Sequence, residues 1–301
     1  MNVRRGVALA LKAAVLTVAL FFCFVLASGV LGPQAAPDPA PAQAGTDALA
    51  LLAVCFLQTL VMMYIILRSR WAGWRLIVTV FLVFYGVVTV MAQIETAVFV
   101  TRLPPGLLPR LFLMGSIVAA LFAPLAVFVL GKRTEDDAPD GPNLRLLMPA
   151  GEWAWKLAAI AVAYVALYFT FGYYVAWQSP AVREYYGGSD PGSFAAAMRN
   201  VLRDTPWLPA FQVVRAMMWT ALAAPVIRMM RGRWWEAGLA VSLLFAVVMN
   251  AQLLLPNPYM PEAVRLAHMV ETASSNFIFG WLVAWLLHRR QGATADASVP
   301  A

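Results

Sequence analysis

Apolar side chains along this chain gather into eight long runs instead of alternating with polar ones. The runs cover residues 7–31, 48–67, 76–100, 111–130, 153–177, 210–230, 235–255 and 270–287. A helix needs about 20 apolar residues to cross a bilayer core, and every run is close to that length or beyond it. In lipid, only helices and closed barrels satisfy their own backbone groups. Barrel strands would alternate over about 10 residues, which these runs do not. The pattern predicts an all-α polytopic membrane protein, a bundle of eight transmembrane helices. A single transmembrane domain is expected over residues 7–290, between a short cytoplasmic N-terminus at 1–6 and a disordered cytoplasmic tail at 291–301.

Composition strengthens this reading. The 301 residues are 62% hydrophobic and 12% charged, whereas a soluble domain carries charge on about a quarter of its positions. That excludes ordinary soluble folds and, despite a net charge of +7, a basic nucleic-acid module. Cys23 and Cys55 both lie inside apolar runs, so no disulfide framework is indicated. The first run, preceded by Arg4 and Arg5 and ending in Ala27, Ser28 and Gly29, has features of a cleavable signal peptide. Its length favours a retained helix, and either reading leaves the later spans in the same direction.

Direction follows from where the basic residues fall. Arg4, Arg5, Lys12, Arg68, Arg70, Arg75, Lys132, Arg133, Arg145, Lys156, Arg228, Arg231, Arg233, Arg289 and Arg290 lie at alternate ends of successive runs, 15 of the 22 lysines and arginines. Both termini are therefore expected in the cytoplasm, and the Arg/Ala-rich composition points to a bacterial inner membrane. Tryptophans near the run ends, such as Trp74, Trp155, Trp177 and Trp207, read as interfacial anchors, and Trp219, deeper in its run, as packing.

The connections are uneven. Residues 32–45 are rich in Pro and Ala and read as a flexible outer loop. The acidic cluster Glu135, Asp136, Asp137 and Asp140 reads as a solvated charge run, without metal-loop spacing. Beyond the turn YYGGSDPGS, Phe194, Met198, Val201 and Leu202 recur at helical spacing. This predicts a short amphipathic helix on the outer interface, capped by Ser193, stopped before Pro206, and placed to act as a strap or a lid. The proline-rich TRLPPGLLPR and LLPNPYMP occupy matching outer positions, but no repeat of the flanking helices accompanies them.

Ionisable residues inside membrane spans are costly and mark function by default. Gln93 and Glu95 lie in the outer half of the third run, with Arg102 seven residues past Glu95. The sixth contributes Gln212 and Arg215, and the seventh Asn250. In the eighth, Arg265, His268, Glu271 and Ser275 form one stripe if the helix begins before His268, with Thr272 beside it and Asn276 deeper. All lie toward the outer side. His268 suits proton transfer because imidazole titrates near neutrality. Glu271 or Glu95 would orient it or stabilise charge, completing the catalytic candidates. Arg215 and Arg265, with Gln93, Gln212, Asn250 and Asn276, form the candidate substrate-binding set, arginine suiting an anionic head group.

No cofactor is implied. A single metal ion at Glu95, His268 and Glu271 is the weaker alternative, because His-x-x-Glu spacing is common and the only other histidine, His288, lies at the opposite membrane face. The expected partners are membrane lipid and a lipid-linked or anionic small molecule, with no nucleic acid; nothing in the pattern specifies an oligomer. The leading reading is acid–base processing of a lipid or lipid-linked anionic substrate in an outward-facing polar cavity. Proton-coupled transport of a small polar or amphiphilic solute is the alternative, and a non-enzymatic envelope scaffold the third.

Overall fold

The computed structural model describes residues 3–31, 41–100, 103–134, 143, 145–190 and 192–288, with side chains placed from Asp47 onward in the second helix. The acidic cluster, Arg102, Arg289, Arg290 and the tail fall outside the described residues, as does most of the Pro/Ala loop. Among the described residues the chain is helical, without a strand. The helices are α1 (Val3–Leu31), α2 (Pro41–Leu67), α3 (Gly73–Phe99), α4 (Leu107–Leu130), α5 (Ala150–Ala176), α6 (Pro180–Tyr185), α7 (Phe194–Asp204), α8 (Leu208–Met229), α9 (Trp234–Leu254) and α10 (Glu262–His288). All but α6 and α7 are long and apolar enough to cross a membrane, which makes the eight expected.

Three differences from the sequence reading matter. Helix α2 begins at Pro41, inside the stretch read as flexible; a proline suits a first turn because its missing N–H would have no intrahelical partner anyway. Helix α10 begins at Glu262, well before its apolar run, so His268 lies inside it. Pro261 precedes the first turn and accepts from the Val264 and Arg265 amides. Helix α6 was not anticipated, being too short for a periodic signal.

The helices alternate in direction, giving the bundle a basic end and a far end. At the basic end the turns interlock: Gly73 N donates to Lys132 O (2.9 Å), Arg70 N to Met229 O (2.8 Å) and Arg231 N to Arg68 O (2.7 Å). The Arg145 guanidinium reaches the carbonyls of Ile227, Met230 and Gly232, capping the end of α8. Burial, together with the neighbouring Arg70 charge, lowers the Arg145 pKa. Outer helix faces expose Val7, Leu11, Val15, Phe22, Leu82 and Val162, as an apolar surrounding would permit.

Small residues permit close helix approach where apolar surroundings supply little driving force. Gly280 on α10 lies against the backbone of Ser242 on α9, where a Cβ would fall 2.7 Å from Ser242 Cα.

Three helices widen by one residue per turn in their far halves: α3 at Gly86–Met91, α5 at Gly172–Ala176 and α9 at Leu244–Val248. Such π-turns loosen the regular ladder, and amide side chains supplement it. Asn250 Nδ2 donates to Phe245 O (3.1 Å) and Ala246 O (2.9 Å), Asn276 Nδ2 to Phe245 O (3.4 Å), and Gln58 Nε2 to Val248 O (3.0 Å). Just past α5, Gln178 Nε2 donates back to Tyr173 O (2.9 Å).

The Gly280 contact yields a packing prediction. Gly280→Ala should lower the thermal unfolding midpoint in detergent, at a cost of about 1–3 kcal/mol typical of overpacking. Gly151→Ala, where nothing lies within 4 Å of the added carbon, should leave it unchanged or raise it. Equal midpoints for the two variants would refute the close α9–α10 approach.

Candidate functional site

Helix direction and register bring chemistry to the far end. Helix α3 ends there, one turn after Glu95, while α8 and α10 begin there, with Gln212 and Arg215 in the first two turns of α8. Arg215 is 2% exposed. A guanidinium keeps its charge when buried, so its surroundings must compensate. Nη2 donates to Glu95 Oε1, Nη1 donates to Gln212 Oε1 at 2.9 Å, and the rings of Tyr164 and Phe211 lie 5.6 and 5.9 Å from its central carbon.

A second chain of contacts runs through α10. His268 Nδ1 is 2.7 Å from Glu271 Oε2, and His268 Nε2 is 3.2 Å from the Tyr186 hydroxyl just beyond α6. Burial pushes the Tyr186 phenol up, and Tyr185 with the carboxylates of Glu271 and Glu95 raises it further. Tyr186 therefore holds its proton at neutral pH, and the imidazole bridges that hydroxyl and the Glu271 carboxylate. Helix α6 is held in place by Val182, buried beside Ala176 and Val264, and by the Tyr185 hydroxyl donating to Tyr259 O at 2.6 Å.

Between the Arg215–Glu95 and His268–Glu271 contacts lies a cavity of about 20 Å³, room for about one water molecule. Glu95, Arg215 and Glu271 supply its charge; α5 contributes Tyr164 and Tyr168, and α10 contributes Thr272, Ser275 and Asn276. One turn further from the far end, aromatic side chains close the section. Trp219 Nε1 donates to Tyr164 OH (3.1 Å), the Trp219 and Phe245 rings are 4.3 Å apart, and those of Tyr164 and Phe279 are 4.7 Å apart. Trp219, Phe245 and Phe279 have no exposed surface.

The remaining sequence candidates take supporting places. Gln212, fully buried, holds Arg215 from behind. Asn250 accepts from the Thr272 hydroxyl at 2.5 Å while bracing the α9 π-turn. Asn276 lines the cavity. Arg265 does not: its Nη1 donates to Leu253 O (2.7 Å) and Leu255 O (2.5 Å), capping the end of α9. Gln93 is also absent from the cavity wall, and its buried Oε1 accepts no hydrogen bond. Glu95 is joined to Arg215, a basic residue of another span. The candidate lid α7, capped by Ser193 Oγ accepting from Ala196 N (3.3 Å), touches Tyr173 and Tyr174 through Phe194 and contributes nothing to the cavity wall. Glu95, His268 and Glu271 do not form a three-ligand cluster: among the described residues no three His, Cys, Asp or Glu side chains gather to hold a metal ion.

Tyr164, Tyr168 and Tyr186 escaped the sequence reading. The four-residue spacing of Tyr164 and Tyr168 inside an apolar run was a usable signal; Tyr186, in a turn-rich stretch, offered none.

Breaking the buried pair from one side should be costly. Glu95→Ala leaves the Arg215 charge unpaired, which for buried pairs costs about 3–5 kcal/mol; the 29% exposure of Glu95 places this site at the lower end. Glu95→Leu combined with Arg215→Met should be less destabilised than Glu95→Ala, measured by denaturant or thermal unfolding. Additive losses would show that the pair is not coupled.

Comparison of the chain with protein-family models, with curated proteins and with solved structures gives no match in any of the three.

Proposed function

We propose that this is a multi-pass protein of a bacterial inner membrane, with both termini cytoplasmic and the far end facing outward, that performs acid–base chemistry on a lipid or lipid-linked anionic substrate. The observation that carries the reading is the Glu271–His268–Tyr186 chain. A base within reach of a hydroxyl, and itself oriented by a carboxylate, is the arrangement used to move a proton to or from a reacting group. Glu271 orients His268, His268 exchanges the proton, and the Tyr186 hydroxyl stands at the chain's outer end. Glu95 balances Arg215, whose Nε still lacks an acceptor among the described residues and suits an anionic head. Asn276 completes the polar wall, and Gln212 and Asn250 hold Arg215 and Thr272 in position. The aromatic layer supports a one-sided site, approached from the far end and closed toward the basic end.

Proton-coupled transport is the second reading, and cavity size favours it: room for about one water suits a proton or small ion better than a head group. The aromatic layer would then have to open.

Orientation is tested by labelling single cysteines in sealed cells. Ser189→Cys should react with an impermeant reagent from outside and Thr134→Cys should not; both positions are exposed, and native Cys23 and Cys55 are buried. The reverse labelling would overturn the proposed insertion. For chemistry, lipid co-purifying with the protein is identified by mass spectrometry and returned to reconstituted vesicles. His268→Gln and Tyr186→Phe should fold and lose product formation by about 100- to 10,000-fold. Proton flux without any lipid product would replace the catalytic reading with transport, and unchanged conversion in both variants would remove the relay.

A further inference from the structure

The α10 wall of the cavity has an unusual bias: its hydrogen-bond donors are turned away. The Thr272 hydroxyl has one hydrogen to give and two acceptors at 2.5 Å, Asn250 Oδ1 and His268 O. The Ser275 hydroxyl donates to Glu271 O at 2.9 Å, with Thr272 O at 3.3 Å. The Asn276 amide nitrogen faces Phe245 O (3.4 Å) and Met249 Sδ (3.6 Å). Glu271 places Oε2 on His268. What remains for the cavity is four sets of oxygen lone pairs: Glu271 Oε1, Thr272 Oγ1, Ser275 Oγ and Asn276 Oδ1. The residues follow at intervals of one, three and one, on one side of the helix. Glu271 and Asn276 are 7% and 6% exposed, and among the described residues neither Glu271 Oε1 nor Asn276 Oδ1 accepts a hydrogen bond.

Oxygens on a cavity wall whose own hydrogens are turned away suit a ligand that brings positive charge or hydrogens. Charge and size narrow the choice. Glu95 and Arg215 neutralise each other, and the Glu271 carboxylate, which meets His268 through Oε2, keeps Oε1 for a ligand. An all-oxygen set with one carboxylate suits a hard cation of low charge, and nearby Arg215 disfavours a divalent ion. The space of about 20 Å³ admits one particle of about water size. We propose that this wall binds a single alkali-metal cation, Na⁺ or K⁺, through Glu271 Oε1, Thr272 Oγ1, Ser275 Oγ and Asn276 Oδ1. The proposal goes beyond the acid–base reading and stands without it.

The test uses the full chain purified in detergent. Thermal unfolding is compared in sodium, potassium and choline chloride at equal ionic strength, and radioactive sodium and rubidium binding is measured by equilibrium dialysis. A saturable one-site signal and a midpoint raised by Na⁺ or K⁺ over choline are expected. Ser275→Ala and Asn276→Leu, which remove no charge, should weaken binding by about 10- to 100-fold, the scale of losing a group around a bound metal. Glu271→Gln should abolish it, and exposed Arg110→Gln should leave it unchanged. If Glu271→Gln fails to fold, the two neutral variants carry the test. Identical unfolding in the three salts with no saturable uptake would mean that the cavity holds water only and would overturn the site. So would a response confined to calcium. Because the readout is ion binding, its failure is distinguishable from failure of lipid conversion.

Discussion

A guanidinium buried among apolar helices constrains everything near it. Arg215 cannot shed its charge, and Glu95, Gln212 and two aromatic rings gather around it. Glu95 comes from α3, Tyr164 from α5, and Gln212 and Phe211 from Arg215's own helix. The pair therefore fixes the depth of three helices at the far end, and the cavity is the space left where α10 meets them. Removing the charge would remove the reason for that meeting point, which is why site geometry and bundle geometry are here one problem.

The other half of the centre depends on an element of only six residues. Helix α6 brings the Tyr186 hydroxyl to His268 Nε2, opposite the Nδ1 contact with Glu271. A loop-borne side chain thus helps to orient a helix-borne one. Amide groups do parallel work below, bracing the π-turn of α9 so that Asn250 and Asn276 keep fixed positions beside Thr272.

The architecture was legible because a run of about 20 apolar residues has few structural solutions. The meeting of Glu95 with Arg215 and the His268–Glu271 contact were also within reach: one needs shared depth, the other helical spacing. Other features were hidden for physical reasons. Helical arithmetic assumes 3.6 residues per turn, and the π-turn at Gly86–Met91 breaks that count ahead of Gln93 and Glu95. Arg265 looked like an anion ligand, but the carbonyls it caps become neighbours only when α9 ends in its tight final turn at Ala251–Leu254. Tyr186 carries no periodic signal, since its place depends on how α6 folds back on α10.

The aromatic layer of Tyr164, Trp219, Phe245 and Phe279 has an electrical meaning in the proposed insertion. Membrane voltage falls mainly across the low-dielectric part of a protein, and this layer lies between the cavity and the basic end. An ion or proton entering from the far end would cross only a small share of the field. Full passage is worth about 2.3 kcal/mol per unit charge per 100 mV. Occupancy of the centre should therefore be nearly blind to membrane potential, and the potential would be felt only by a charge that passed Trp219.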